Sequence, residues 1–326
     1  MQYFEKLGEA MLQFDAAYIE KHLTTKTCIS LMHQTLADER SGQCVQYLRT
    51  AITLPNQNVL GLMPGFSSRG YFGAKVISVY PHNAKDGYPS HQGQIILFGA
   101  AHGDVLAVLD AMSITRIRTG AVSAAASKVL AVPHACTLAI LGCGEQGWSH
   151  LAAMAEQFAL QEVCCWDIVP AAAERLAAAA RSMGLQAAAC REVQTAVQDA
   201  DIICTLTPSK EPILHSCWVK DGAHINAVGA CAPNARELDS DLMVRGRVYC
   251  DNMQSIMHES GDFLIPLHEG RYDEKHLLGP VGDIMLGRLS GRSGPKNVTI
   301  FDAVGMAVED MACAIWLYEQ AVNGGE

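Results

Sequence analysis

Residues 138–150 read LAILGCGEQGWSH, and this stretch decides the fold. The apolar run TLAIL (137–141) reads as a strand, and Gly142, Gly144 and Gly147 follow it at once in G-x-G-x-x-G spacing. A helix-compatible segment then runs to about Phe158. The first glycine permits a tight turn, the second removes a side chain where a pyrophosphate must approach the backbone, and the third lets helix and strand pack closely. The free N–H groups of the helix start, with Glu145 and Gln146 in its first turn, favour phosphate. Asp167 ends the next apolar run, EVCCWD (162–167), where a carboxylate can accept both ribose hydroxyls. That carboxylate repels a 2′-phosphate, and Ile168, Val169 and Pro170 offer no group to hold one, which favours NAD(H) over NADP(H). Asp167 can also cap the helix that opens at Pro170.

Downstream, the runs QAAAC (186–190), DIICTLT (201–207), HINAVGA (224–230), VYCDN (248–252) and NVTIFDA (297–303) continue the pattern, most of them separated by helical or loop segments. Continuous apolar strands in alternation with helices predict a parallel sheet covered on both faces, a Rossmann-type doubly wound α/β domain. Thr205 and Thr207, at the end of the fourth strand, are expected near the cofactor at the carboxyl edge of that sheet. Upstream the character changes. CVQYLRTAITL (44–54), AKVISVYP (74–81), GQIILFGA (93–100) and DVLAVLDA (104–111) are short apolar runs between turn-rich stretches, and they predict antiparallel strands in an α+β domain. Residues 1–15 read as an amphipathic helix, 113–130 as an Ala-rich helix joining the halves, and 306–322 as an amphipathic helix returning to the first domain.

Composition narrows the function classes. The chain has 326 residues, 49% hydrophobic and 18% charged, so disorder is excluded and two domains are expected. With 34 acidic against 24 basic residues, the net charge of −10 gives no field to attract a nucleic acid. The N-terminus lacks the basic-then-apolar run of a secretory signal, and no uncharged apolar stretch reaches the ~18 residues of a membrane span, so a cytoplasmic protein off the membrane is expected. The 12 cysteines contain no C-x-x-C pair and sit mostly inside apolar runs, which predicts reduced, buried thiols and no metal site.

Beyond these patterns, the chain resembles the ornithine cyclodeaminase/mu-crystallin family, which includes ketimine reductases and an archaeal type of alanine dehydrogenase. The resemblance rests on LMPGF (62–66), AKVISVYP (74–81), SHQGQIILF (90–98), ITRIRTGAVSAAASKVLA (114–131), LGCGEQGWSHL (141–151), EPILHSCWVKDGAHINAVGA (211–230), ARELD (235–239) and FDAVGMAVEDMA (301–312). It is nearest to the mu-crystallin branch. The resemblance implies a substrate-binding and dimerisation domain from residues 1–118 plus 306–326, with an NAD(P)-binding domain over 119–305, and hence a homodimer. It also implies that Arg49, Lys75 and Arg118 hold a substrate carboxylate, and that Val228 and Val304, the latter in FDAVG (301–305), border the cofactor. A guanidinium can grip a carboxylate bidentately, whereas a lysine acts as a point charge or exchanges a proton. Arg118 lies among small residues with few obvious partners. Arg116, two positions away, points elsewhere on the helix and reads as a surface residue. His91 and Gln92 read either as pocket-lining or as structural.

One departure from the family bears on the reaction. The cyclodeaminase branch carries an aspartate two residues after the glycine of the VG pair, and VGACAP puts Cys231 there. A thiol cannot replace an ionised carboxylate that stabilises an ammonium or iminium, so ornithine cyclisation with ammonia loss is disfavoured. The expected activity is NAD(P)H-dependent reduction of a cyclic ketimine, Δ1-pyrroline-2-carboxylate or Δ1-piperideine-2-carboxylate, to L-proline or L-pipecolate, with Lys75 as proton donor or relay, or alternatively a water held by Cys231 or backbone groups. The alternatives are an L-amino-acid dehydrogenase of the alanine type, a residual cyclodeaminase, and a ligand-binding protein with little turnover.

Overall fold

In the computed structural model, which describes residues 11–324, the chain forms two units. The first comprises the chain up to Leu31, Ser41–Arg118 and the segment from Met306 onward; the second comprises Met32–Arg40 and Thr119–Gly305.

The first unit is built on seven strands: β1 (Leu12–Phe14), β2 (Cys44–Gln46), β3 (Thr50–Thr53), β4 (Val59–Ser67), β5 (Tyr71–Val79), β6 (His91–Gly99) and β7 (Val105–Asp110). Their order is β1-β7-β6-β5-β4-β2, with β3 also on β4; all pairs are antiparallel except β1 with β7. The helix expected over residues 1–15 is not formed where the chain is described. Residues 12–14 are a strand, Phe14 buried and Gln13 exposed in the two-residue alternation of an edge strand, and residues 1–10 lie outside the described residues. Asp15 then caps the helix Ala16–His22, accepting from Tyr18 N at 2.8 Å.

Strand β4 has no counterpart in the sequence expectation, because Gly61, Pro64 and Gly65 read as a turn. Residues 63 and 64 lie opposite the gap between β2 and β3, where Gln46 pairs Gly65 and Thr50 pairs Leu62, so the missing N–H of Pro64 interrupts no ladder on that side. Gly65 leaves room for the C-terminal helix: a Cβ there would sit 2.8 Å from Met311 Sδ and 3.3 Å from Val308 Cγ1, and those side chains would have to shift. The C-terminal helix Ala307–Asn323 covers this sheet face, on which Met63, Lys75, Ile95, Leu97, Ala107 and Leu109 are buried.

In the second unit eight strands form one wholly parallel sheet: β8 (Thr137–Leu141), β9 (Glu162–Trp166), β10 (Gln186–Ala189), β11 (Ile202–Thr205), β12 (His224–Ala227), β13 (Arg247–Cys250), β14 (Leu277–Pro280) and β15 (Thr299–Asp302). The order β10-β9-β8-β11-β12-β15-β13-β14 winds one way from β8 and the other way from β11. The switch point thus falls between β8 and β11, the place where open α/β sheets bind ligands. Strands β11, β12 and β15 are buried at every residue, as a sheet covered on both faces requires. β14 is the strand the sequence conceals, since LLGP reads as a turn; its edge position tolerates the proline.

Candidate functional site

The glycine loop opens off β8 as the sequence requires. Gly142 takes φ +103°, a conformation open to glycine, and a Cβ on it would meet Leu206 O at 2.8 Å. Gly147 allows the helix Glu145–Gln157 to approach, because a Cβ there would lie 2.6 Å from Gly142 O. Gly144 caps that helix without a side-chain hydrogen bond, and a Cβ there would meet nothing within 4 Å. The helix is fixed from behind by His150. Its Nδ1 lies 2.8 Å from Gln146 O and its Nε2 2.9 Å from Ser123 Oγ, an arrangement of the neutral tautomer with Nδ1–H donating, and burial lowers its pKa to about 4.

A cavity of about 370 Å³ opens at the switch point, lined among others by Gly142, Gly144, Asp167, Ile168 and Thr207. Asp167 Oδ2 accepts from Cys143 N at 2.7 Å and Oδ1 from Val169 N at 2.8 Å. The carboxylate therefore shapes the glycine loop, and Asp167 also lines the cavity. Ile168 is 86% exposed beside it, and none of the residues lining the cavity is a lysine or arginine. This cradle fits a dinucleotide: open space at the middle glycine, a helix start with unspent N–H groups, and a carboxylate one strand away. Of the other expected residues, Glu145 and Gln146 form the helix start. Thr205 does not line the cavity. It is the last residue of a strand buried on both faces, so its side chain is turned into the unit; Val228 and Val304 are likewise not among the lining residues.

The first unit holds the second cluster. Lys75 projects from β5 beneath the C-terminal helix, 3% exposed, with Nζ 2.6 Å from Asp310 Oδ2 and 3.4 Å from Thr115 Oγ1. Arg118, on the helix Ala111–Leu130, donates from Nε to Asp310 Oδ1 at 3.1 Å and from Nη1 to Glu309 Oε2 at 2.9 Å. The expectation that Arg118 has few partners is thus corrected. The two carboxylates come from FDAVGMAVEDMA, 191 and 192 positions away in sequence. Arg49 is half-buried between β2 and β3, close enough for its charge to act on Lys75. The structure therefore brings Arg49, Lys75 and Arg118 together. Lys75 and Arg118 share the carboxylate of Asp310, and Arg118 also takes that of Glu309, so these two cations stand in one buried polar network. Burial lowers the pKa of Lys75, outweighing the attraction of Asp310, and Arg118 and Arg49 add to the lowering. Asp310 is held below the ordinary carboxylate range by the two cations despite its burial.

Arg116 pairs with Glu20 near the surface, and His91 and Gln92 are exposed on β6. Cys231 is exposed, its Sγ 3.3 Å from Val228 O. No group of His, Cys, Asp and Glu side chains is arranged for a metal ion, and no helix is long and apolar enough to cross a membrane, among the described residues.

The model of the ornithine cyclodeaminase/mu-crystallin family matches residues 9–325. This chain belongs to that family. The ketimine reductase mu-crystallin of Mus musculus is 36% identical over 285 residues, 87% of each chain. Among solved structures, the Δ1-pyrroline-2-carboxylate reductase of Thermococcus litoralis, in complex with NADH and L-proline, superposes with a TM-score of 0.93 at 31% identity, covering 97% of this chain and 98% of that one. An archaeal alanine dehydrogenase dimer with bound NAD gives 0.92 at 26% identity, covering 97% of each. The family match includes both clusters, with the glycine loop in one unit and the Lys75–Asp310–Arg118 group in the other.

Proposed function

We propose that this protein reduces a cyclic ketimine carboxylate, Δ1-pyrroline-2-carboxylate or its six-membered homologue, to the L-imino acid with NADH as hydride donor. It is an oxidoreductase with a nicotinamide cofactor; the substrate and the preference for NADH are the proposal. The observation that carries it is the buried Lys75–Asp310–Arg118 group, which offers a carboxylate clamp and a proton held at Nζ in one place. The second unit binds the cofactor, which when bound supplies the hydride. Arg118 and Arg49 hold the substrate carboxylate, so that binding energy is converted into orientation. Lys75 Nζ holds the proton that the ring nitrogen would take up, and its depressed pKa makes that transfer easier. Asp310 stabilises the protonated lysine before the transfer. Cys231 supplies none of the charge that cyclodeamination needs.

We further propose a homodimer. The first unit's sheet turns Leu62, Phe66, Phe72, Val76, Ile96 and Phe98 to the face opposite the C-terminal helix, Phe66 exposed and the others only partly buried in the single chain, with Phe72 stacked on Phe98 at 4.9 Å. An apolar face of this kind is what a second copy of the chain would cover.

The functional reading is tested by following NADH oxidation over cyclic ketimines and over 2-oxo acids with ammonia; turnover confined to the second set would replace it with an amino-acid dehydrogenase. For the cofactor, Asp167→Ser combined with Ile168→Arg is expected to move the NADH to NADPH ratio of kcat/KM at least about tenfold toward NADPH, since it replaces repulsion of the 2′-phosphate by attraction. A wild-type enzyme that already prefers NADPH would contradict the role given to Asp167.

A further inference from the structure

The loops that leave β11 and β12 carry Thr207 and Gly229, and a single carboxylate holds both. Glu237 Oε1 accepts from Thr207 N at 2.6 Å and from Thr207 Oγ1 at 2.7 Å, while Oε2 accepts from Gly229 N at 2.8 Å. Glu237 is fully buried, and its own segment is pinned in turn: the backbone N–H groups of Glu237 and Leu238 both donate to Asp262 Oδ1 at 2.8 Å. The two loops touch so closely that a Cβ on Gly229 would lie 2.2 Å from Thr207 O and 2.6 Å from Glu237 Oε2. Thr207 also lines the cavity at the switch point, whereas Glu237 does not.

From this geometry we infer that Glu237 is a positioning residue: it fixes the Thr207 edge of the dinucleotide cavity without touching the cofactor, and Asp262 supports it from behind. This rests on the reading of that cavity as the NADH site. A buried carboxyl beside another acid is costly, and burial with Asp262 pushes Glu237 up to about 8 against the pull of its hydrogen-bond donors. A carboxyl is nonetheless the group that can accept from three donors on two loops at once, since in either protonation state one oxygen can take both Thr207 donors and the other the Gly229 N–H. Glutamine cannot do so. Its amide nitrogen would face either Thr207 N–H or Gly229 N–H, leaving a buried donor against a donor.

The test is direct binding of NADH, followed by its fluorescence, to wild type, Glu237→Gln, Thr207→Val and the double variant, with KM for the ketimine measured beside it. Glu237→Gln is expected to weaken NADH binding at least about tenfold while KM for the ketimine stays within about twofold. Thr207→Val, which removes one donor and keeps the side-chain shape, should weaken it less, and the double variant should be no worse than Glu237→Gln alone, because both changes break the same contact. A folded Glu237→Gln protein with unchanged NADH affinity, or losses that add in the double variant, would overturn the inference. If Glu237→Gln does not fold, Thr207→Val decides alone: weaker NADH binding upholds the inference and unchanged binding overturns it. Failure of wild type to bind NADH would instead remove the underlying reading of the cavity, an outcome visible before any variant is made.

Discussion

Lys75→Met is expected to lower kcat for ketimine reduction at least about 100-fold, the usual scale for loss of a positioned proton donor, while NADH affinity stays within about twofold. The methionine side chain occupies nearly the volume of the lysine stem, and Arg118 continues to neutralise Asp310, so the fold is retained. The pH profile separates proton transfer from simple charge. A donor must be protonated to act, so kcat falls as pH rises through the pKa of Lys75, and because burial lowers that pKa the alkaline limb lies below the ordinary lysine value. Lys75→Arg keeps the positive charge but holds its proton far more tightly; it should be slow and should lose that limb. A Lys75→Met enzyme within about threefold of wild type would remove Lys75 from the chemistry.

The largest stability effect is expected at Asp310. Its carboxylate is shared by two buried cations that reach it from β5 and from the helix Ala111–Leu130, and it lies itself on the C-terminal helix. Asp310→Asn leaves Lys75 and Arg118 with Glu309 as the remaining carboxylate of the group, and breaking a buried pair on one side costs about 3–5 kcal/mol. Deprotonation of Lys75 limits the loss, so a value near the lower end, about 3 kcal/mol, is expected in denaturant unfolding, read as a lower midpoint at unchanged slope. A loss under about 1 kcal/mol would show that the carboxylate is not what holds the cations. Because the pKa of Asp310 is depressed, its contribution is present above the unfolded carboxylate range and is lost as pH falls through its lower folded value. Acid should therefore destabilise wild type by this route and Asp310→Asn much less.

What could be read in the sequence and what could not divide along a physical line. The glycine loop was legible because local backbone demands impose it: a turn at Gly142, an open approach at Gly144 and a close packing at Gly147 each need glycine within six residues. Arg49 and Lys75 were legible only through the family resemblance, whereas Arg118 stood out from the residues alone as a guanidinium among small side chains; their counter-charges were not read at all. Glu309 and Asp310 are fully buried on a helix whose neighbours Val308 and Met311 are apolar, and two adjacent acids on such a face were the available sign that buried cations await them. Strand β4 was hidden by its glycines and proline, whose tolerance depends on the gap between β2 and β3, a tertiary fact. Glu237 in ARELD belongs to the same class. Nothing local distinguishes it from a surface glutamate, and its role appears once two separate loops, 30 and 8 positions away, are seen to share its oxygens.

The central claim is hydride transfer to the α-carbon of a cyclic imine. It is tested most directly by incubating the protein with Δ1-pyrroline-2-carboxylate and NADH carrying deuterium at the transferable position, then examining the product by NMR and chiral chromatography. The account predicts L-proline with deuterium at Cα, one equivalent for each NADH consumed. Proline without the label, the absence of any product from cyclic ketimines, or release of ammonia from L-ornithine with closure to proline would contradict it.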